Sequence, residues 1–332
     1  MVLEQIRGKA IVTGASGFIG SWVRDRLLDA GVDVISIRRK GSPEPKRGRS
    51  VVADYGDAAS LDALIRDEDP EYIFHVAGAT AGVTYQDFDL GNRMPTQHLA
   101  EATRRHAKKL RRFVYVSSLT SYGPSTLERP LVESDPRQPI EHYGKSKLAA
   151  EEALEAMGDA FPWTIVRPAG VYGPRNTEFF KLFELIHKGW NVFYGNRGRA
   201  FSIIYGDDCV DAIFAAAVAP KAIGRGYFLA DGAPVTWASF QTAMVERAGR
   251  PVRTIDLPSA LLVPAAWGGE LMAKLSGKPS LFNQQKALMG RQDAWTCAID
   301  AARTDLGFEP KVDAAEGIVR SFDWYREQGW LR

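Results

Sequence analysis

The sequence predicts an α/β protein, in which a doubly wound parallel sheet is followed by a small, mostly helical C-terminal lobe. In the first half of the chain, short runs of β-branched and aromatic residues alternate with longer helical patterns, which is typical of βαβ units. The first of these runs ends in glycines that lead directly into a helix. After Val171 the alternation loosens, and from Ala233 the chain becomes rich in tryptophan, proline and helical patterns.

Each predicted element follows from its local pattern. The run KAIVT is β-forming and stops at a glycine turn, and the helix after it has an apolar stripe and ends at Gly31. The predicted strands span residues 9–13, 32–37, 50–53, 72–76, 113–116, 163–166 and 226–230. The predicted helices span residues 20–30, 60–66, 95–110, 143–157, 179–188 and 208–218. The sheet domain therefore takes residues 1–172 with about 203–232, and the lobe takes 173–202 and 233–332.

Composition excludes several classes of protein. The 332 residues suit one large domain or two moderate ones, and 45% hydrophobic with 25% charged residues is ordinary for a globular protein. A net charge of +2, from 42 basic and 40 acidic residues, gives no drive toward nucleic acid or an anionic membrane. Only Cys209 and Cys297 are present, which excludes a disulfide framework and a cysteine-built zinc site. We expect no metal.

No segment suggests export or membrane insertion. Glu4 and Arg7 lie where a signal peptide needs an apolar run. The most apolar stretches, 210–219 and 257–267, are shorter than the roughly 18–20 residues of a transmembrane helix. We therefore expect a soluble, cytoplasmic protein.

Gly14, Gly17 and Gly20 form a motif that follows the first strand and opens a helix. One glycine permits the tight turn, one lets a phosphate approach the backbone, and one lets helix and strand pack closely. The free N–H groups and positive dipole at the helix N-terminus suit a pyrophosphate. This context predicts dinucleotide binding, with Ser16, Phe18 and Ile19 of the same turn as further contacts. The alternative is an ordinary tight turn.

Arg38 stands at the end of the second strand, where an acidic residue would accept a hydrogen bond from the ribose 2′-hydroxyl of NAD. A guanidinium pairs with phosphate rather than with a neutral hydroxyl. Arg38, helped by Arg39, therefore favours the 2′-phosphate of NADP(H). The alternative is a solvent-facing arginine. Arg38 also begins a basic, turn-rich segment, 38–49. A second basic cluster, 104–112, suits a helix C-terminus and lacks the interleaved aromatics of a nucleic-acid site.

Other strand ends supply further candidates for cofactor contacts. Asp54, beside Tyr55, can accept from the adenine amine, although a turn aspartate explains it nearly as well. Ala77 and Gly78 are small enough to make room for the cofactor where the fourth strand ends. His75, on the same strand, is not expected to act as a catalytic acid.

Tyr143 and Lys147 give the strongest chemical signal, because residues four apart share one helix face. Tyrosine has a pKa of about 10 and is a poor base at neutral pH, but a neighbouring ammonium favours the phenolate. Lys147 is predicted to lower the pKa of Tyr143 and to hold the nicotinamide ribose. Ser118, at the end of the fifth strand, can bind a substrate carbonyl.

These motifs together resemble the extended short-chain dehydrogenase/reductase family, which includes NAD(P)-dependent epimerases and dehydratases. The resemblance covers nearly the whole chain, including Arg167–Pro174 and the C-terminal Leu-Gly-Phe-x-Pro. It implies a Rossmann-type sheet of about seven strands, a substrate-binding lobe and a homodimer built through two helices per subunit. It also implies Ser118, Tyr143 and Lys147 as the catalytic set, with Asn92 as the nearest match to a proton-relay asparagine. The cofactor contacts that it adds are Pro168, Gly170 and Val171.

Departures from the family pattern narrow the reaction. Leu119 and Thr120 replace the Asp-Glu pair of the sugar-nucleotide dehydratases, which makes water elimination improbable. Gly170 replaces the asparagine with which sugar-nucleotide epimerases contact the diphosphate. Together with Arg38, this is closer to the reductase and hydroxysteroid-dehydrogenase branch. Candidate substrate contacts are Thr80, Thr84, Ser118, Thr120, Arg175 and Tyr205.

The leading hypothesis is an NADP(H)-dependent oxidoreductase acting on a carbonyl or secondary alcohol of a small molecule. The first alternative is an NAD-dependent sugar-nucleotide epimerase, which uses the same three residues without net redox change. A second is a non-catalytic NADP(H)-sensing protein, which the intact Tyr143–Lys147 pair disfavours. The aromatic residues of segment 179–190 are expected to pack in the core rather than line a pocket.

Overall fold

The computed structural model describes residues 2–45, 47–258, 260 and 284–331, so most of the apolar stretch 257–267 lies outside the described residues. The strands are β1 Lys9–Thr13, β2 Asp33–Arg38, β3 Arg49–Val52, β4 Tyr72–His75, β5 Arg112–Val116, β6 Trp163–Pro168, β7 Gly170–Tyr172, β8 Trp190–Tyr194, β9 Ala200–Phe201, β10 Ile203–Tyr205, β11 Arg225–Leu229, β12 Val235–Thr236, β13 Arg253–Leu257 and β14 Ala294–Trp295. The α-helices are α1 Phe18–Asp29, α2 Ala58–Glu68, α3 Tyr85–Gly91, α4 Arg93–His106, α5 His142–Glu155, α6 Thr177–His187, α7 Gly206–Val218, α8 Trp237–Ala248, α9 Gln284–Gly290, α10 Asp300–Leu306 and α11 Ala314–Glu327.

Seven strands form one parallel sheet in the order β11-β6-β5-β4-β1-β2-β3. All seven strands predicted from the sequence are present, and the predicted doubly wound sheet is confirmed. The strands are almost continuously apolar because helices cover both faces. On β1, Ala10 and Val12 pack in the core with α1 and α7, whereas Ile11 packs in the opposite core with α2, α4 and α5.

The C-terminal lobe contains more β-structure than the sequence predicted. In the lobe, short strands pair as β12-β9-β14 and β13-β8, and a further pair, β10-β7, lies at the boundary with the sheet domain. Each of these strands spans only two to five residues, which is too short for a periodic pattern to distinguish it from a loop. The helix α3 was also missed. The sequence predicted a single helix in this region, beginning at Pro95, and that helix corresponds to α4.

Aromatic side chains form the core of the lobe. Phe183, Phe322 and Tyr325 are fully buried, and the Phe183 ring contacts the rings of the other two. The Tyr325 hydroxyl donates to the carbonyl oxygens of Gly173 and Asn176, each at 2.9 Å, which fixes α11 to the segment after β7. Core packing is confirmed for Phe183, but Trp190 is 41% exposed and lies outside the core.

The carboxyl ends of the parallel strands meet at one edge of the sheet, where ligands bind in open α/β folds. The predicted dinucleotide and catalytic residues follow β1, β2, β4 and β5 at this edge. Within the described residues, no helix is long and apolar enough to cross a membrane.

Candidate active site

The turn after β1 has the shape that a phosphate cradle requires. Gly14 has φ +67°, a left-handed conformation that favours glycine, and a side chain there would press on the backbone nitrogen of Ala77. A Cβ on Gly20 would overlap the carbonyl oxygen of Gly14. Gly17 caps α1 without any side chain accepting from the N–H groups of the first turn. Ser16 and Gly17 are exposed, and Phe18 and Ile19 are half-buried. The uncapped, side-chain-free turn fits a pyrophosphate.

Arg38 is the last residue of β2, and its side chain contacts the loop that leads to β3. Its Nε is 3.3 Å from the Ser50 Oγ, its Nη1 is 3.4 Å from the Ser42 carbonyl oxygen, and its Nη2 is 3.9 Å from the Glu44 carboxylate. The Arg38 side chain is 24% exposed, so the guanidinium remains accessible to a ligand. Arg39 is exposed beside it.

Asp54 and Tyr55 follow β3 at the same edge. The Asp54 Oδ1 accepts from the backbone N–H of Gly56 at 2.8 Å. This is the contact of a turn aspartate, the alternative to an adenine contact. Tyr55 is buried, and its hydroxyl donates to the Ile37 carbonyl oxygen at 3.4 Å. Asp54 itself is exposed, so its carboxylate still faces solvent near the end of β2.

His75 is a structural residue of the sheet floor. It is fully buried and hydrogen-bonds through its two ring nitrogens to the Thr13 Oγ1 at 2.8 Å and the Thr96 Oγ1 at 2.9 Å. Burial, with a smaller contribution from the Lys147 charge, lowers the pKa of His75 to about 3. The Thr13 hydroxyl also accepts from the N–H groups of Val76 and Ala77. These bonds fix the segment that leads to the exposed Gly78.

Tyr143 and Lys147 lie in the first two turns of α5, which packs tightly against the segment after β5. The Glu141 carboxylate caps this helix by accepting from the Gly144 N–H at 2.6 Å. A side chain on Gly144 would overlap the Thr120 carbonyl oxygen, so glycine permits the close approach. The Lys147 Nζ is buried, donates to the Val116 carbonyl oxygen at 2.7 Å and lies 4.5 Å from the centre of the Tyr115 ring.

The structure brings Ser118 to the same place. Its Oγ accepts from the Thr120 N–H at 3.3 Å and the Thr120 Oγ1 at 3.1 Å. Ser118 lies near enough to Tyr143 to influence the pKa of its hydroxyl. Ser118 follows β5, the Lys147 Nζ binds the last residue of β5, and α5 approaches Thr120 beside Tyr143, so the three predicted residues lie around the end of this strand. Their catalytic roles stay predictions.

The pKa of Tyr143 differs from the sequence prediction. Burial raises it above the usual value, the Glu141 charge adds to that rise, and the neighbouring Ser118 side chain opposes it. Burial also lowers the pKa of Lys147 to about 7, against an opposing effect of Glu151. The predicted lowering of the Tyr143 pKa by Lys147 is therefore not what this structure shows. Both groups are desolvated, which disfavours their charged forms. In addition, the Lys147 ammonium donates to the Val116 carbonyl oxygen.

Asn92 separates α3 from α4 and connects three segments. Its Oδ1 accepts from the Ala79 N–H at 2.8 Å, and its Nδ2 donates to the Ala79 carbonyl oxygen at 3.1 Å and the Ser146 Oγ at 2.8 Å. Its amide therefore joins the loop after β4 to α5, one residue before Lys147. Its role in a proton relay stays a prediction.

The predicted substrate contacts separate into two groups. The Thr120 hydroxyl donates to the Ser118 Oγ, and Thr80 is exposed on the loop after β4. Thr84 instead caps α3, accepting from the Asp87 N–H at 3.3 Å. Arg175, at φ +72°, donates to the Asp25 carboxylate of α1 at 3.0 Å. Tyr205 is 3% exposed and packs on Trp22 and Tyr172 in the core.

Pro168 ends β6, and Gly170 and Val171 follow it at the sheet edge that carries the other predicted cofactor contacts. Gly170 opens β7, and its N–H donates to the Ser202 carbonyl oxygen at 3.1 Å. Gly170 and Val171 are half-buried. This strand end joins the sheet domain to the lobe.

Glu151 is the site residue that sequence reasoning missed. It is fully buried one turn beyond Lys147, and the Arg167 Nη2 donates to its carboxylate at 2.9 Å. Ser117 and Arg137 also donate to it. Burial alone would raise the pKa of Glu151, but the Arg167 charge and the hydrogen bonds from Arg167 and Ser117 lower it. A signal was present, because residues 143, 147, 151 and 155 all lie on one helix face.

Comparisons with known proteins show which family the chain matches. The profile described as "NAD dependent epimerase/dehydratase family" matches residues 10–229. A ceramide reductase of Caulobacter vibrioides is 27% identical over 331 residues, covering 98% of this chain and 96% of that protein. A UDP-glucose 4-epimerase of Mycolicibacterium smegmatis is 28% identical, covering 96% of this chain and 99% of that protein.

The fold also matches a solved structure. The crystal structure of UDP-glucose 4-epimerase from Thermotoga maritima with UDP-glucose superposes with a TM-score of 0.80 at 22% identity. The match covers 96% of this chain and 99% of that one. At this identity the likeness concerns the fold.

Proposed function

Because the chain belongs to the NAD dependent epimerase/dehydratase family of extended short-chain dehydrogenases/reductases, we propose that it is an NADP(H)-dependent oxidoreductase of small-molecule carbonyls or secondary alcohols. Its relatives include reductases, dehydrogenases and epimerases, and the chain is accordingly an NAD(P)-dependent enzyme. The observation that carries the finer proposal is the convergence of Ser118, Tyr143 and Lys147 at the end of β5.

The residues present fit a dinucleotide. The cradle formed by Gly14, Gly17 and Gly20 would hold the pyrophosphate at the uncapped start of α1. Arg38, with Arg39 beside it, supplies a guanidinium for a 2′-phosphate, which favours NADP(H) over NAD(H). Lys147 would hold the hydroxyls of the nicotinamide ribose. When bound, the nicotinamide supplies or accepts the hydride.

Side chains of the protein bind the substrate oxygen and supply its proton. Ser118 donates its hydroxyl hydrogen to the carbonyl oxygen and orients it. Tyr143 donates the phenolic proton to that oxygen in the reductive direction. A raised pKa of Tyr143 keeps the phenol protonated at neutral pH, which suits a proton donor. General acid catalysis of this kind contributes about 10²–10⁴-fold to the rate.

The substitution Tyr143→Phe tests this assignment. It removes the proton donor and leaves the ring that packs on Phe88. We expect kcat to fall by about 10²–10⁴-fold, with the Kd for NADPH nearly unchanged. Turnover with a panel of aldehydes and ketones is followed by NADPH absorbance, and the Kd by fluorescence. Near-normal turnover in the variant would refute the role of Tyr143.

A sugar-nucleotide epimerase remains the second candidate, and the likeness to the mycobacterial UDP-glucose 4-epimerase favours it. It would use the same three residues while retaining NAD. Epimerisation of a UDP-sugar without net change in the nicotinamide would distinguish it from the reductase. Leu119 and Thr120 offer no acid or base for dehydration.

The proposal includes a homodimer formed through α4 and α5, as the family resemblance implies. These two helices pack on the same face of the sheet, with Leu99 and Ala150 in one core. It also includes a cytoplasmic location, without nucleic acid as a partner. Light scattering of the purified protein measures the dimer directly.

A further inference from the structure

The predicted 2′-phosphate reader, Arg38, has an acidic neighbour. The Glu44 carboxylate lies 3.9 Å from the Arg38 guanidinium and accepts from the Ser50 hydroxyl at 3.0 Å. The Ser50 Oγ is in turn 3.3 Å from the Arg38 Nε. Arg38, Ser50 and Glu44 therefore form a small polar cluster, which we call the β2-end cluster, where the cofactor ribose is expected.

The fold places these three residues together. Ser50 lies on β3, which pairs in parallel with β2 so that Ser36 is opposite Ser50 and Arg38 is opposite Val52. The loop between the two strands brings Glu44 back over the strand end. The Arg38 side chain is 24% exposed and that of Glu44 is 72% exposed. The cluster therefore faces solvent and can exchange partners with a ligand.

We propose that Glu44 is a specificity-determining residue, which weakens the preference of this site for NADP(H) and gives NAD(H) an acceptor for its ribose 2′-hydroxyl. The inference rests on the proposed function, since it requires the adenosine ribose to lie at the end of β2. A 2′-phosphate that pairs with Arg38 comes close to the Glu44 carboxylate, and like charges repel at such distances. A neutral 2′-hydroxyl instead donates to a carboxylate, the role that an acidic residue plays at this strand end in NAD sites.

The other acids near this edge are placed differently. Asp54 accepts from the Gly56 N–H within its own turn. Asp33 begins β2, at the opposite end of the strand from Arg38. Within the described part of the chain, Glu44 is the acidic residue that forms an ion pair with Arg38. This pairing of one cation and one anion is expected to narrow the preference for NADP(H) over NAD(H) without reversing it.

The test measures the Kd for NADPH and for NADH by fluorescence titration of the full chain. The variants are Glu44→Gln, the charge-matched control Glu128→Gln on another exposed loop, and Arg38→Gln. We expect Glu44→Gln to bind NADPH about 3- to 10-fold tighter and NADH more weakly, and the effect on NADPH should shrink in high salt. The control should keep the wild-type ratio of the two Kd values, and Arg38→Gln should weaken NADPH binding selectively.

Each outcome distinguishes the two proposals. If Arg38→Gln weakens NADPH binding while Glu44→Gln leaves the ratio at the control value, Glu44 has no role in specificity, and the NADP(H) assignment stands. If Arg38→Gln leaves NADPH binding unchanged, the 2′-phosphate does not lie at this cluster, and the roles of both Arg38 and Glu44 are overturned, whereas the oxidoreductase proposal is then judged by turnover with NADPH. Because Glu44 is exposed, loss of folding is not expected to obscure either result.

Discussion

Lys147 and His75 show how burial changes single side chains at this site. Both are buried, and the pKa of Lys147 falls to about 7 and that of His75 to about 3. The positions of Tyr143 and Lys147 could be predicted from the sequence, because a spacing of four fixes a shared helix face. Their pKa values could not, since desolvation depends on the segments that cover the helix.

The buried His75 predicts a loss of stability in acid. The unfolded chain protonates His75 at its ordinary pKa of 6.5, whereas the folded protein protonates it only near 3. Between these values the unfolded state binds more protons, so the free energy of unfolding falls as the pH falls from 6.5 toward 3.

Urea denaturation at several pH values measures this effect. The variant His75→Gln cannot titrate but can still donate to and accept from Thr13 and Thr96. We expect its unfolding free energy to depend less steeply on pH between 6 and 4, by up to about 1.4 kcal/mol per pH unit. Equal slopes in the two proteins would show that His75 is not the group responsible.

The helix α5 carries both the predicted catalytic residues and their support. Tyr143 and Lys147 occupy its first two turns, and Glu151 follows on the same face. Glu151 binds Ser117, which precedes Ser118, and Arg167 near the end of β6. One buried carboxylate therefore ties together the three elements that surround the site.

Removing this carboxylate is expected to destabilise the protein strongly. In Glu151→Gln the buried Arg167 guanidinium loses its counter-charge, which costs about 3–5 kcal/mol for a broken buried pair. The matched variant Arg137→Gln removes a partner that is 25% exposed, so its cost should be smaller. Urea unfolding followed by circular dichroism compares the two. A cost for Glu151→Gln no greater than that for Arg137→Gln would contradict the account of this network.

At the scale of elements, regular patterns were predictable and short or irregular ones were not. The strands β1 to β6 and β11 follow from runs of β-formers, because strands covered on both faces are apolar throughout. The strands β9, β12 and β14 span two residues each and leave no such pattern. The loop that brings Glu44 to Arg38 is irregular, so no sequence rule could predict their contact.

At the scale of the whole molecule, the parallel sheet gathers the cofactor and catalytic candidates at one edge. Gly14 follows β1, Arg38 ends β2, and Ser118 follows β5. This gathering could be predicted, because the carboxyl ends of parallel strands share an edge. Arg175 and Tyr205 were predicted to contact the substrate, but their side chains have other partners. Arg175 donates to Asp25 of α1, and Tyr205 packs on Tyr172 in the lobe core.

The measurement that tests the central claim most directly is cofactor identity. The purified protein is denatured to identify any released nucleotide, and fresh protein is titrated with NADPH and NADH. We expect no retained NAD and a preference for NADPH of about tenfold or more, equivalent to about 1.4 kcal/mol. Co-purified NAD, or tighter binding of NADH, would contradict the NADP(H)-dependent reductase and make the epimerase the better account.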